Sequence, residues 1–159
     1  MLFKPLSQQE IGQKEFTHMA VVTANDLTQA TANTAQSFNV AALPVGSVIE
    51  KVVLRLITPF KDPADAAFNS DTVDVGDTGS ATRYLTAQEV NENGTEITAP
   101  QYNATLGGPF AASQFLTIRF NSMAAKSLVN IKIGELHVFV KLSDYKPLSD
   151  AQPSTSLTK

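Results

Sequence analysis

The stretch that decides the fold is residues 48–85, VIEKVVLRLITPFKDPADAAFNSDTVDVGDTGSATRYL. Its first ten residues alternate, so that an apolar face opposes a charged one: Val52, Leu54 and Leu56 against Lys51 and Arg55. A period of two is typical of an antiparallel strand with one buried face. We therefore predict a strand over 48–57, ending at Thr58-Pro59 because proline has no N–H to donate to a neighbouring strand.

Short alternating segments recur along the rest of the chain, separated by residues that favour turns. Strands are predicted over 16–23, 37–40, 71–75, 95–98, 115–120 and 135–142, with a short strand followed by a helical turn over 83–90. No helical period is sustained in the sequence. The pattern predicts an all-β fold, an antiparallel two-sheet β-sandwich of about eight strands, jelly-roll-like, with extended terminal arms.

The chain of 159 residues fits one domain with a terminal segment on each side. We predict an N-terminal arm over 1–14, the β-sandwich domain over 15–142, and a C-terminal tail over 143–159, where apolar content falls. The arm has two interpretations. It lies on its own domain, or it docks apolar side chains onto a neighbouring subunit, namely Leu2, Phe3 and Leu6.

Composition excludes several classes of function. A net charge of −3 with scattered Lys and Arg argues against nucleic-acid binding and against an anionic membrane surface. The absence of cysteine removes disulfides, zinc–thiolate sites and thiol nucleophiles. The N-terminus lacks the apolar core of a signal peptide, and no apolar run approaches the ~20 residues of a membrane helix.

Few residues are candidates for chemistry. His18 and His137 fall in different predicted strands without a motif partner; a Ser-His-Asp site could assemble only through the fold, so we predict no catalytic residue and no cofactor. Aspartates recur within the 62–77 loop region, at Asp62, Asp65, Asp71, Asp74 and Asp77. Clustered oxygen ligands suit calcium, but the spacing matches no calcium motif and Asp is common in loops. We predict no metal site, with cation binding by this loop left open.

Aromatic residues outside the predicted core are candidates for protein contacts. Phe60 and Phe68 lie in the predicted loop after the first strand. Phe139 lies on the polar face of the last strand, where an arm or loop of the same chain, or another subunit, is expected to cover it. With Leu2, Phe3 and Leu6 of the arm, these residues form the predicted protein interface.

An ordered series of motifs carries a family resemblance. It comprises Leu43-Pro44-Val45-Gly46-Ser47-Val48-Ile49, the strand ending Thr58-Pro59-Phe60, Val73-Asp74-Val75-Gly76-Asp77, Arg83-Tyr84-Leu85 and Gly134-Glu135-Leu136-His137-Val138-Phe139-Val140. The series resembles small virion structural proteins of tailed bacteriophages, including the jelly-roll capsid decoration, or cement, proteins. The similarity covers roughly residues 37–142.

The resemblance implies a non-enzymatic protein of the virion, assembled in the host cytoplasm. It implies binding to the outer capsid surface, with the major capsid protein as partner and self-association on the lattice, and stabilisation of the shell by bridging subunits. A tail or head-fibre component is one alternative. A carbohydrate-binding jelly roll is another, weakened by the absence of Trp, since sugar platforms usually need exposed aromatic residues.

Overall fold

The computed structural model of the protein describes residues 2–5, 16–65, 70–91, 101–102 and 108–144. The strands in these residues are β1 (Leu2–Pro5), β2 (His18–Thr23), β3 (Gln36–Leu43), β4 (Ser47–Lys61), β5 (Thr72–Asp77), β6 (Ser80–Glu89), β7 (Gln101–Tyr102), β8 (Gln114–Phe120) and β9 (Ile133–Asp144). They form two antiparallel sheets, so the predicted all-β sandwich is confirmed. The strand predicted over 95–98 lies outside the described residues.

The strand order is that of a jelly roll with one added strand. The five-stranded sheet has the order β1-β2-β9-β4-β7, and the four-stranded sheet has the order β3-β8-β5-β6. Antiparallel pairs join β2 to β9, β3 to β8, β4 to β7 and β5 to β6. The chain from β2 to β9 is thus one long hairpin whose successive pairs alternate between the sheets. β1 extends the larger sheet at the edge beside β2.

β4 is longer than predicted, because Pro59 does not end it. The ladder between β4 and β9 shifts register between Leu56 and Thr58 and again between Thr58 and Lys61. Pro59 falls in the second irregularity, where its missing N–H breaks no regular ladder bond. The strand therefore continues to Lys61 and carries Phe60 back to the inner face.

The predicted helical turn within 83–90 is wrong, since β6 is one strand of ten residues. Its ladder with β5 pairs Gln88 with Val73 and Leu85 with Val75, which leaves two residues of β6 opposite one of β5. This is a β-bulge, and Ala87 within it has a φ of 49°. The bulge explains why the local sequence departs from simple alternation.

The alternation predicted for the longest strands is confirmed by burial. The core between the sheets includes Val52, Leu54, Val73, Val75, Leu116, Ile118, Phe120, Leu136, Val138 and Val140. Arg55, on the opposite face of β4, is exposed. The helical segments of the described chain are two 3-10 turns of three residues each, Ala24–Asp26 and Leu128–Asn130. None of the described helices has the length and apolarity needed to span a membrane.

Candidate functional site

Phe60 is not a contact residue, and that prediction is wrong. Its side chain is 0% exposed, and its ring packs against Phe120 with 5.0 Å between centroids. The prediction placed Phe60 in a loop because Pro59 was expected to end the strand. Since β4 continues past Pro59, Phe60 belongs to the core instead.

Phe139 is covered by its own chain. It lies on the outer face of the five-stranded sheet but is only 7% exposed. The ring of Phe16 lies 5.5 Å from the Phe139 ring, and the Lys51 ammonium lies 5.3 Å from the Phe16 centroid. Of the two alternatives for Phe139, the structure shows contact with a segment of the same chain.

The N-terminal arm pairs with its own domain through the backbone. β1 runs antiparallel to β2, with Leu2 opposite Val21 and Pro5 opposite His18. Phe3 lies within this strand. Leu6 and Phe68 lie outside the described residues, so their contact with a neighbouring subunit stays a prediction.

The aspartates of the 62–77 region have different partners and do not converge. Asp62 accepts a hydrogen bond from the Ala64 N–H, Asp65 pairs with Lys126, Asp74 with Arg119, and Asp77 with Arg83. Within the described segments, no three His, Cys, Asp or Glu residues come together in a way that could hold a metal ion. Asp71 differs from the other four, because neither of its carboxyl oxygens has a hydrogen-bond partner.

Asp77 organises the turn between β5 and β6. Its Oδ1 accepts hydrogen bonds from the N–H groups of Gly79 (2.9 Å) and Ser80 (3.0 Å). Its Oδ2 accepts from Arg83 Nε at 2.6 Å and from the Tyr84 hydroxyl at 2.8 Å. Burial, together with the hydrogen bond to this carboxylate, raises the pKa of Tyr84. A buried carboxylate with four donors holds the hairpin and is saturated for further binding.

The two histidines do not form a catalytic pair. His18 is opposite Val140 and His137 is opposite Val21, so the imidazoles lie on opposite faces of the larger sheet. His18 Nδ1 is 2.9 Å from the Thr17 hydroxyl, which itself donates to the Val140 carbonyl. His137 Nε2 lies 2.7 Å from Glu135 Oε1. The Thr17 hydroxyl thus ties the segment before β2 to β9, and the His137–Glu135 pair lies within β9.

One end of the sandwich presents apolar side chains to solvent. Val45 is 62% exposed and Phe115 is 46% exposed, and Phe115 lies opposite the exposed Ala42. We call this surface the apolar end; it comprises Ala42, Pro44, Val45, Ala111, Ala112 and Phe115.

Two chain segments build the apolar end. The Gly46 N–H donates to the Phe110 carbonyl at 2.9 Å, and the Phe110 N–H donates to the Ser47 carbonyl at 3.1 Å. Neither segment, 42–48 or 108–118, contains a charged residue. The sequence held a signal for this surface, since alternation over 115–120 places Phe115 on the outer face.

Comparison with known proteins finds similarity among solved structures. No family model matches the chain, and no curated protein sequence matches it. The structure is similar to a chain of the cyanophage Pam1 capsid asymmetric unit, with a TM-score of 0.56 and 26% sequence identity, over 80% of this chain and 82% of that one. The chain resembles a component of a bacteriophage capsid. A chain from the acidic stable capsid structure of Helicobacter pylori bacteriophage KHP30 aligns with a TM-score of 0.48 and 13% identity, over 89% of this chain and 91% of that one.

Proposed function

We propose that the protein is a capsid decoration, or cement, protein of a bacteriophage, which binds the outer shell and stabilises it by bridging capsid subunits. The observation that carries the proposal is the likeness to the Pam1 capsid chain, which extends over most of both chains. This likeness supports the coarser statement that the protein is a structural component of a phage virion. The decoration role adds the location on the shell and the major capsid protein as partner.

A non-enzymatic role agrees with how the polar side chains are used. The carboxylates of Asp74 and Asp77 are neutralised by arginines within the sandwich, and His137 pairs with Glu135. The Asp74–Arg119 pair connects β5 to β8, the Asp77–Arg83 pair holds the β5–β6 hairpin, and the His137–Glu135 pair lies within β9. The polar groups therefore contribute to a rigid scaffold, as expected of a protein that transmits load between subunits.

The apolar end is the contact surface that the structure favours for the capsid subunit. Val45 and Phe115 are large apolar side chains that are exposed to solvent, and burying them against a neighbouring subunit is favourable. Because neither contributing segment carries a charge, docking through these segments buries no ionised group of their own. The apolar end therefore replaces Phe60 in the proposed interface.

Leu2, Phe3 and Leu6 of the N-terminal arm, together with Phe68, complete the proposed contacts. Among the strands that the structure describes, β1 is at the edge of the larger sheet, and an edge strand presents backbone groups on its outer side. A neighbouring copy can add a strand there by backbone hydrogen bonding, which gives the proposed self-association on the lattice.

Binding to particles tests the proposal. The purified protein, mixed with virions or expanded capsids that lack it, is expected to sediment with them and to raise the temperature at which the shells fail. The double variant Val45→Ser, Phe115→Ser should bind about thirtyfold more weakly, since a buried aromatic anchor commonly carries on the order of 2 kcal/mol of binding free energy. Ile133→Ser is the matched control, since Ile133 is 37% exposed and lies at the end of β9 away from Ser47 and the apolar end.

Two outcomes contradict the proposal in different ways. Protein that stays in the supernatant while intact shells pellet excludes a virion role on the capsid. Density for the protein on the tail or on a fibre, in a map of the intact particle, assigns it to the alternative role of a tail or head-fibre component.

A further inference from the structure

Asp71 is a fully buried acid without a partner. Its exposure is 0%, and both carboxyl oxygens lack hydrogen bonds. Its main-chain carbonyl accepts the Val90 N–H at 3.1 Å and Asn91 Nδ2 at 3.4 Å. A buried polar group without a partner is rare in folded proteins and costly when it is ionised.

Asp71 lies where the two sheets are joined. The Phe60 N–H, from the larger sheet, donates to the Val90 carbonyl at 2.8 Å, and Phe60 also forms a parallel bridge with Asn91. Val90 and Asn91 follow β6 of the smaller sheet, and Asp71 directly precedes β5. We call Phe60, Asp71, Val90 and Asn91 the seam.

Charged groups lie on three of the segments next to the seam. They are Glu89 at the end of β6, Lys61 and Asp62 at the end of β4, and Lys132, whose N–H donates to the Lys61 carbonyl. None of them bonds the Asp71 carboxyl, because both oxygens lack a partner. Glu89 instead accepts a hydrogen bond from Asn91 Nδ2 at 2.9 Å.

With no hydrogen-bond donor to either oxygen, the buried carboxyl is more stable in its neutral form. Burial raises the pKa of Asp71 to about 8. At 0% exposure and without a partner, the neutral acid costs far less free energy than the carboxylate.

We propose that Asp71 keeps its proton in the folded protein through the neutral range, and that loss of this proton at alkaline pH opens the seam between the sheets. This pH dependence does not depend on the proposed capsid role. It makes the seam sensitive to pH, whereas the two segments of the apolar end are joined by backbone hydrogen bonds, which do not titrate.

The sign of the effect follows from linkage. In the unfolded chain Asp71 ionises near its ordinary pKa of about 4, so between about pH 5 and 7 the folded state binds one more proton than the unfolded state. The contribution to stability is therefore fully present below about pH 4, and it is lost as pH rises towards the folded pKa of about 8. Across that window the unfolding equilibrium constant rises about tenfold per pH unit from this one group.

Denaturant unfolding at pH 5, 6, 7, 8 and 9 tests the proposal, with the native chain compared to Asp71→Asn and to Asp62→Asn. Asparagine imitates the neutral acid, so the ratio of unfolding constants, native over Asp71→Asn, should rise about tenfold per pH unit from 5 to 7. Asp62→Asn should follow the native curve. Parallel curves for the native chain and Asp71→Asn overturn the proposal.

Two measurements on the native chain keep the test independent of how well the variant folds. In a ¹³C-aspartate titration, one side-chain carboxyl should titrate near pH 8; if all of them titrate below about pH 5, the proposal fails. Amide protection factors of Phe60 and Val90 should fall above that pH, while that of Gly46 at the apolar end stays unchanged. Added Ca²⁺ provides a further test. If Ca²⁺ stabilises the native chain, chelation reverses this, and Asp71→Asn abolishes it, then Asp71 binds a metal ion and not a proton, and the proposal is overturned.

Discussion

The ring of Phe60 occupies the space that a side chain at Gly134 would need. A Cβ built on Gly134 would lie 2.3 Å from Phe60 Cδ1, and Gly134 has a φ of 152°. We expect Gly134→Ala to lower the free energy of unfolding by about 3 kcal/mol, from overpacking against a ring that cannot move within the core. Urea or guanidinium unfolding measures the loss.

Gly79→Ala is the matched control for this substitution. A Cβ at Gly79 would lie 3.2 Å from the flexible end of Arg83 and 3.3 Å from Asp77 Oδ1, with no positive φ to maintain. A change below about 1 kcal/mol is expected there. Equal losses in the two variants would show that the Phe60 contact is not what requires glycine at 134.

The four hydrogen bonds to Asp77 make it the main polar support of the β5–β6 hairpin. Asp77→Ala leaves the buried Tyr84 hydroxyl without its acceptor and removes the ion pair with Arg83. We expect a loss of about 2–4 kcal/mol in unfolding free energy. Asp62→Ala, which removes one hydrogen bond at the loop surface, should cost less than about 1 kcal/mol, and a loss as large as that of Asp77→Ala would contradict this difference.

The strands and their inward faces could be predicted from sequence because burial of one face imposes a local period of two. Leu116, Ile118 and Phe120 alternate within seven residues of β8, and all three are buried. Such a pattern needs no knowledge of the partner strand. The same reasoning placed Val52 and Leu54 in the core.

What could not be predicted depends on contacts between distant segments. Phe60 returns to the core because β4 shifts register against β9, more than seventy residues later in the sequence. Asp74 is neutralised by Arg119, which is 45 residues away, whereas Asp71 has no such partner. Composition alone made the aspartates look alike, and their different surroundings in the folded chain distinguish them.

His18 gives the fold a dependence on acid opposite in sign to that of Asp71. Burial lowers the pKa of His18, so the folded state disfavours its protonation. Its contribution is present above the unfolded value of about 6.5 and is lost as pH falls towards the lower folded value. We expect His18→Gln to remove this loss between pH 7 and 5, measured as the difference in unfolding free energy from the native chain. His137→Gln should keep the loss of stability between pH 7 and 5. If His137→Gln removes that loss and His18→Gln does not, the prediction is wrong.

The Asp74–Arg119 pair joins β5 to β8 on the outer face of the smaller sheet. Arg119 Nε and Nη2 lie 3.0 and 2.6 Å from Asp74 Oδ2, and the Ala87 N–H donates to Oδ1 at 2.6 Å. Arg119→Leu leaves the Asp74 carboxylate without its charged partner. The Asp74 side chain is 2% exposed, although that of Arg119 is 35% exposed. Because solvent reaches the arginine, we expect a loss of about 2–3 kcal/mol rather than the full cost of a buried pair.

A double-mutant cycle separates the charge from the shape of this contact. Asp74→Asn keeps an acceptor for the Ala87 N–H but removes the charge, so adding it to Arg119→Leu should recover more than half of the lost stability. Equilibrium unfolding of the two single variants and the double variant gives the coupling energy. If the losses from the single substitutions simply add, the unpaired charge of Asp74 is not the cause of the lost stability. Arg119 would then stabilise the fold through its packing on β8.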